Sequence, residues 1–200
     1  METEVETTVE EITQVDSIID IVNFDSRIIW ITKALLDEQY TVARQIVYYN
    51  ECDEGKSVGE RTPIRLMIAC SGGTKTAADV ICNAIEASST PIIGCNMGDA
   101  TSAAFNIFLC CHRRYTFPNA HFMTHYGSMC VGEMTMNELH NVLRVVDAEA
   151  KRDKQRVLAN TNITSDQYDE MMIADWYMSA EEAVELGVAE KIVKSFDEVI

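Results

Sequence analysis

Basic residues are scarce in this chain: Lys and Arg number 16 against 32 Asp and Glu, for a formal net charge of −16. So acidic a surface repels phosphate backbones and anionic lipid, which argues against nucleic acid and against an anionic membrane as partners. It serves solubility, or attraction to a basic partner. Long apolar runs are missing too; none approaches the ~18 residues of a membrane span. The 7 cysteines form no Cys-x-x-Cys pair, and most lie inside apolar segments. Buried free thiols in a reducing compartment are therefore expected, rather than disulfides or a zinc site. Met1 to Glu6 carries neither the basic nor the apolar stretch of a secretory signal, so a cytoplasmic location is expected.

What is present reads as globular. An apolar fraction of 47% beside 24% charged residues, over 200 residues, suits one domain with a sizeable core. Residues 1–20 hold Glu2, Glu4, Glu6, Glu10, Glu11, Asp16 and Asp20 with no Lys or Arg, and read as a flexible acidic arm. The rest, residues 21–200, reads as a single domain. From Arg27 onward, short apolar runs alternate with helical periodicity. Strands are expected at Arg27–Ile31, Ile64–Ile68 and Pro91–Cys95, and short ones at Tyr115–Phe117, Phe122–His125 and Ala189–Val193. Helices are expected at Asp37–Tyr49, Thr76–Ala87, Ala103–Cys111, 134–159 and Thr164–Met172, and after a capping box, Ser179 to Glu182, up to Gly187. Residues 50–63 read as a loop, and Gly98–Ser102 as a turn. The fold class is α/β, built from repeated strand–turn–helix units. The helix over 134–159, ~39 Å at 1.5 Å per residue, is longer than so small a domain can cover and is expected to project onto another subunit.

Four places carry chemistry. Gly72 and Gly73 lie between a strand and a helix, where glycines let backbone approach a ligand and turn N–H groups outward. A plain tight turn is the alternative. No Gly-Lys-Ser/Thr follows and no third glycine completes a dinucleotide fingerprint. Ser102 opens an apolar helix among the small residues Gly98, Ala100, Ala103 and Ala104. It is either an N-cap or a nucleophile whose developing oxyanion meets a helix N-terminus. Of the 4 histidines, His140 falls on the long helix and His112 at a helix end, while His121 and His125 share one strand face. Alternation does not choose between those two as a base. Asp175, beside Trp176 and Tyr177, is expected to be a buried acid that orients the base. Together these are the parts for acyl transfer from a serine.

In order and spacing the segments resemble the proteolytic subunit of the Clp protease family, over about residues 27–194. Met97–Phe105 resembles its nucleophile segment, Ile68–Gly73 its oxyanion strand, Phe117–His125 its histidine segment and Asp175–Gly187 its aspartate segment. The resemblance implies Ser102 as nucleophile, His125 as base, Asp175 as third member, and the N–H groups of Gly73 and Ala103 as oxyanion hole. It implies a crotonase-like fold with a long projecting helix, and two stacked heptameric rings interlocked by that helix. It also implies unfolded polypeptides as substrates and an AAA+ unfoldase partner that uses ATP, with no cofactor or metal bound by this chain. The activity implied is that of a serine endopeptidase. The alternatives are a non-catalytic ring subunit and a virus-encoded maturation peptidase of the same fold. The chain departs from the family at Ser71 (usually Pro), Ala69 (Asn), Ala103–Ala104 (Met-Gly) and Tyr126–Gly127 (Gln-Pro). Its glycine-rich strand is reduced to Gly127 and Gly132. These departures bear on peptide preference and on the unfoldase.

Overall fold

A computed structural model describes residues 26–36 and 40–199; the acidic arm expected at 1–20 lies outside them. Seven strands form one sheet. Four run side by side and parallel: β1 (Ile28–Ile31), β2 (Ile64–Cys70), β3 (Ile92–Thr101) and β4 (Arg113–Thr116). A short β7 (Lys191–Ile192) extends that order beyond β4. β5 (His121–Thr124) also pairs with β3, in parallel, and β6 (Trp176–Ser179) lies antiparallel to β5.

The helices are α1 (Tyr40–Cys52), α2 (Lys75–Glu86), α3 (Ala103–Cys110), α4 (Met136–Asn160), α5 (Ser165–Met171) and α6 (Ala180–Glu185). Alternation along the strands divides their side chains between two faces. Ile29, Ile31, Leu66 and Ile68 join the core with α1, α2 and α3, while Met67, Ile93, Cys95 and Tyr115 form a smaller cluster with Val193 and Val199. α3 is buried along most of its length, as its apolar sequence requires. The expected capping box opens α6, with the Ser179 hydroxyl accepting from Glu182 N, and Gly187 follows the helix at a φ of +73°.

Two expectations change. Gly98–Ser102 is not a turn as a whole: β3 continues to Thr101, and only Ser102 turns the chain into α3. The glycine and small residues there belong to a strand that changes partner, pairing with β4 over Ile93–Asn96 and with β5 over Asp99–Thr101. The loop expected over 50–63 also contains the last turn of α1 and a short 3-10 helix, Val58–Glu60.

Two polar anchors lie away from the turn at Ser102. At the entry to β1, Arg27 forks onto the fully buried carboxylate of Asp53, with Lys56 Nζ and Thr90 Oγ1 also donating to it. Further along the chain, α4 begins on a second capping box: Thr135 Oγ1 accepts from Glu138 N, and the Glu138 carboxylate accepts from Thr135 N. Only Val157, near its C-terminal end, is buried along its 25 residues, so most of α4 stands clear of the rest of the chain.

Candidate active site

Parallel pairing brings the C-terminal ends of β2 and β3 to the same edge of the sheet, and each strand ends in a tight turn into a helix. After β2, Gly73 forms a bridge with Leu35: Leu35 N donates to Gly72 O and Thr74 N to Leu35 O, both at 2.7 Å. Gly72 and Gly73 both have positive φ, +99° and +149°. A Cβ on Gly72 would come within 2.8 Å of Ser102 Cβ, and one on Gly73 would run into the backbone of Leu35. Only glycine lets the first turn press against the second in this way. Cys70 pins the first turn from beneath: its buried thiol donates to Lys33 O at 3.0 Å and accepts from Gly72 N at 3.4 Å. Burial pushes that thiol's pKa up, which keeps it neutral.

Ser102 carries a φ of +54° and a ψ of −120°, outside the regions open to most L-residues. Such a conformation costs about 1–3 kcal/mol and persists where neighbours over-determine it. Here Ser102 N donates to Met123 O at 2.7 Å, while Ser102 O accepts from Phe105 N. The hydroxyl caps nothing. It meets His125 Nε2 at 2.8 Å instead. Of the two uses open to this serine, capping is therefore the one the structure lacks.

The β5–β6 register brings in the other two residues. Thr124 pairs with Trp176, so His125, just past β5, faces Asp175, just before β6. His125 Nδ1 donates to Asp175 Oδ1 at 3.2 Å. β5 itself is held by Asn96, a fully buried amide at the point where β3 changes partner. Its Nδ2 donates to His121 O at 2.8 Å and its Oδ1 accepts from Gly98 N at 3.1 Å. Sequence reasoning passed over Asn96 and Cys70. The signal for Asn96 was an amide directly following the apolar run Ile92–Cys95, since a buried amide has to find partners.

The other histidines do not join this cluster. His121 lies at the opposite end of β5, about 13 Å along the strand at 3.3 Å per residue, and pairs with Asp99 at 3.1 Å. The Nδ1 of His112 accepts from Ile92 N at 2.9 Å, and burial lowers its pKa. His140 is exposed on α4. Asp175 departs from expectation: its side chain is 56% exposed, against 26% for His125. Trp176 and Tyr177 belong to β6 and alternate across it, so they do not enclose the carboxylate.

Among the described residues, neither Gly73 N nor Ala103 N donates a hydrogen bond. The first lies on a turn, and the second opens α3, where the N–H groups of a first helical turn have no partner within the helix. The arrangement thus holds a hydroxyl on a ring nitrogen, the other ring nitrogen on a carboxylate, and two open amides. That can deprotonate the hydroxyl as it attacks a carbonyl and bind the oxyanion that forms. Among the described residues no three His, Cys, Asp or Glu side chains cluster as metal ligands, and no helix is long and apolar enough to cross a membrane.

Comparison with known proteins gives this geometry a context. The Clp protease family model matches residues 8–196. The chain is 29% identical over 149 residues to ATP-dependent Clp protease proteolytic subunit 2 of Treponema denticola, covering 70% of each chain. It is 25% identical over 195 residues to ATP-dependent Clp protease proteolytic subunit 1 of Chlamydia trachomatis, covering 93% of this chain and 96% of that one. Among solved structures, a mutant ClpP1 from Listeria monocytogenes superposes with a TM-score of 0.76 at 20% identity, covering 88% of this chain and 96% of that one.

Proposed function

The chain belongs to the Clp protease family, and from that premise we propose that it is a serine endopeptidase acting through Ser102, His125 and Asp175. The observation that carries this reading is the pair of contacts at His125, 2.8 Å from Nε2 to Ser102 Oγ and 3.2 Å from Nδ1 to Asp175 Oδ1.

His125 Nε2 takes the hydroxyl proton as Ser102 Oγ attacks the peptide carbonyl. Asp175 accepts the Nδ1–H, which fixes the tautomer and favours the imidazolium that forms. The tetrahedral oxyanion receives the N–H groups of Gly73 and Ala103; one such donor is worth about 3 kcal/mol. The imidazolium returns its proton to the leaving amine, and the C–N bond breaks. Water, deprotonated at the same nitrogen, then hydrolyses the acyl-enzyme. The strained backbone at Ser102 holds the hydroxyl in place before substrate arrives.

The reading extends to the assembly. Residues 21–200 act as one catalytic domain in two stacked heptameric rings in the cytoplasm, and an AAA+ unfoldase supplies unfolded polypeptide with its own ATP. The exposed length of α4 supports this, since a helix so little buried by its own chain fits one covered by a second ring.

Replacing Ser102 with Ala tests the chemistry. Cleavage of a short fluorogenic peptide is expected to fall by about 10⁴-fold or more, with particle mass unchanged at about fourteen chains. A fluorophosphonate should label wild-type Ser102 and leave Ser102→Ala unlabelled. Wild-type cleavage by Ser102→Ala would overturn the assignment.

A further inference from the structure

α3 buries Ala103, Ala104, Phe105, Ile107, Phe108 and Leu109. The half-buried positions that remain are Ser102, Asn106 and Cys110. Spacing of four places Asn106 and Cys110 on one face of α3, and Ser102, the N-cap, precedes Asn106 by one turn, so the partly open surface of the helix leads back to the turn at Ser102. Helical side chains lean toward the helix N-terminus, so the Asn106 carboxamide extends toward the end of α3 that Ser102 opens. Among the described residues Asn106 has no hydrogen-bond partner. It is the one polar residue on this helix, and its amide is uncommitted.

The far end of this surface is closed. Cys110 Sγ donates to Glu86 Oε1 at 3.4 Å, and Arg156 Nη2 reaches the same oxygen at 3.2 Å. Arg156 also pairs with Asp153 at 3.1 Å, and Asp153 with Lys75 at 3.2 Å. Lys75 pairs with Asp79 as well. These charges from α2 and α4, the helices that pack against α3, are thus spent on one another. The surface runs from a reacting hydroxyl, past a free amide one turn in, to a paired-charge end about 12 Å away at 1.5 Å per residue.

We propose that Asn106 is a specificity-determining residue. Its carboxamide forms the floor of the pocket for the substrate side chain beside the attacked carbonyl, and the pocket selects an uncharged hydrogen-bonding side chain, Asn or Gln first. This rests on the serine-peptidase reading above. A carboxamide offers two donors and an acceptor, and another carboxamide complements both. Ala103 leaves room for it. A leucine there would strand the Asn106 amide without water or partner, the situation in which polar sites reject apolar analogues. A charged side chain would lose hydration and find every nearby counter-charge already engaged.

The test uses the full-length protein in its native assembly. Peptidyl diphenyl phosphonates, identical except for an Asn, Gln, Leu, Lys or Asp side chain beside phosphorus, are reacted with it, and the rate of the Ser102 adduct is read by mass. The Asn and Gln probes are expected to react about tenfold faster than the Leu probe. Asn106→Leu should reverse that order, and Asn106→Asp should bring the Lys probe to the front. If wild type favours Leu, or if both variants keep the wild-type ranking, Asn106 does not set specificity while the peptidase reading stands. If no probe modifies Ser102, the peptidase reading falls and this inference falls with it.

Discussion

On the Ser102 side of the site, the supports are buried. Cys70, Ala100, Ala104, Phe105 and Asn96 are all shut away from solvent, and two turns press together through Gly72. On the Asp175 side, the carboxylate is 56% exposed and the following residues, Trp176 and Tyr177, lie along an edge strand. Beyond His125 the chain is exposed from Tyr126 to Glu138. One half can keep a strained serine in place because a packed interior resists it. The other half rests on a single antiparallel pair and on one contact of 3.2 Å. The buried half governs whether the nucleophile and amides exist at all. The exposed half governs whether the base is aimed at them, and it is the half that subunit assembly can reach.

That contrast can be broken most sharply at the exposed end. Asp175→Asn should lower kcat/KM by about 10⁴-fold through the wrong imidazole tautomer, or about 5.4 kcal/mol of transition-state stabilisation. Its melting temperature should stay within about a degree of wild type, because an exposed carboxylate with one neighbour adds little to stability. A large drop in melting temperature would mean the two halves are not built differently.

Gly73→Ala attacks the buried end. The added methyl meets the Leu35 backbone, so the bridge must open, and the residue must also keep a positive φ. Stability should fall by about 2–4 kcal/mol in urea titration, together with activity. Loss of activity at unchanged stability would show that this turn is not held by packing.

A control lies at the opposite end of β1. The guanidinium of Arg27 holds the Asp53 carboxyl well below the usual carboxylate range, with Lys56 and Thr90 assisting against the cost of burial. A depressed folded-state pKa means that this stabilisation is fully present above the unfolded value of about 3.9. It is lost as pH falls through the lower folded value. Asp53→Asn should cost about 3 kcal/mol at pH 7, and the gap to wild type should narrow below about pH 4. Fluorophosphonate labelling of Ser102 should persist. The smallest effect is expected from Cys70→Ala, about 1 kcal/mol of stability for the lost thiol contacts, with a measurable fall in peptide cleavage because Gly72 is less firmly held.

Residues with a local signature were legible without coordinates. The apolar run of α3 demanded burial, Ser179 and Glu182 announced the start of α6, and Gly72–Gly73 marked a turn after a strand. His121 and His125 could not be separated on the residues alone, because period two treats them alike; only the resemblance favoured His125. The geometry separates them through the partner exchange of β3, which sets one imidazole on Asp99 and the other on Ser102. The turn expected at Gly98–Ser102 was read from glycine and small residues. Those residues belong instead to β3, where it pairs with β2 and β5. Asp175 looked enclosed because its sequence neighbours are aromatic, yet along a strand neighbours point away from each other.

The chain by itself determined the α/β alternation, the buried helix behind Ser102, the over-long α4 and the identity of the residue types that could react. Each follows from local periodicity or backbone preference, which act over a few residues. Tertiary structure decided which imidazole meets the hydroxyl, that the hydroxyl turns away from capping, and that the acid stands in solvent. Those outcomes depend on register between strands far apart in sequence, and a one-residue slip would exchange every partner.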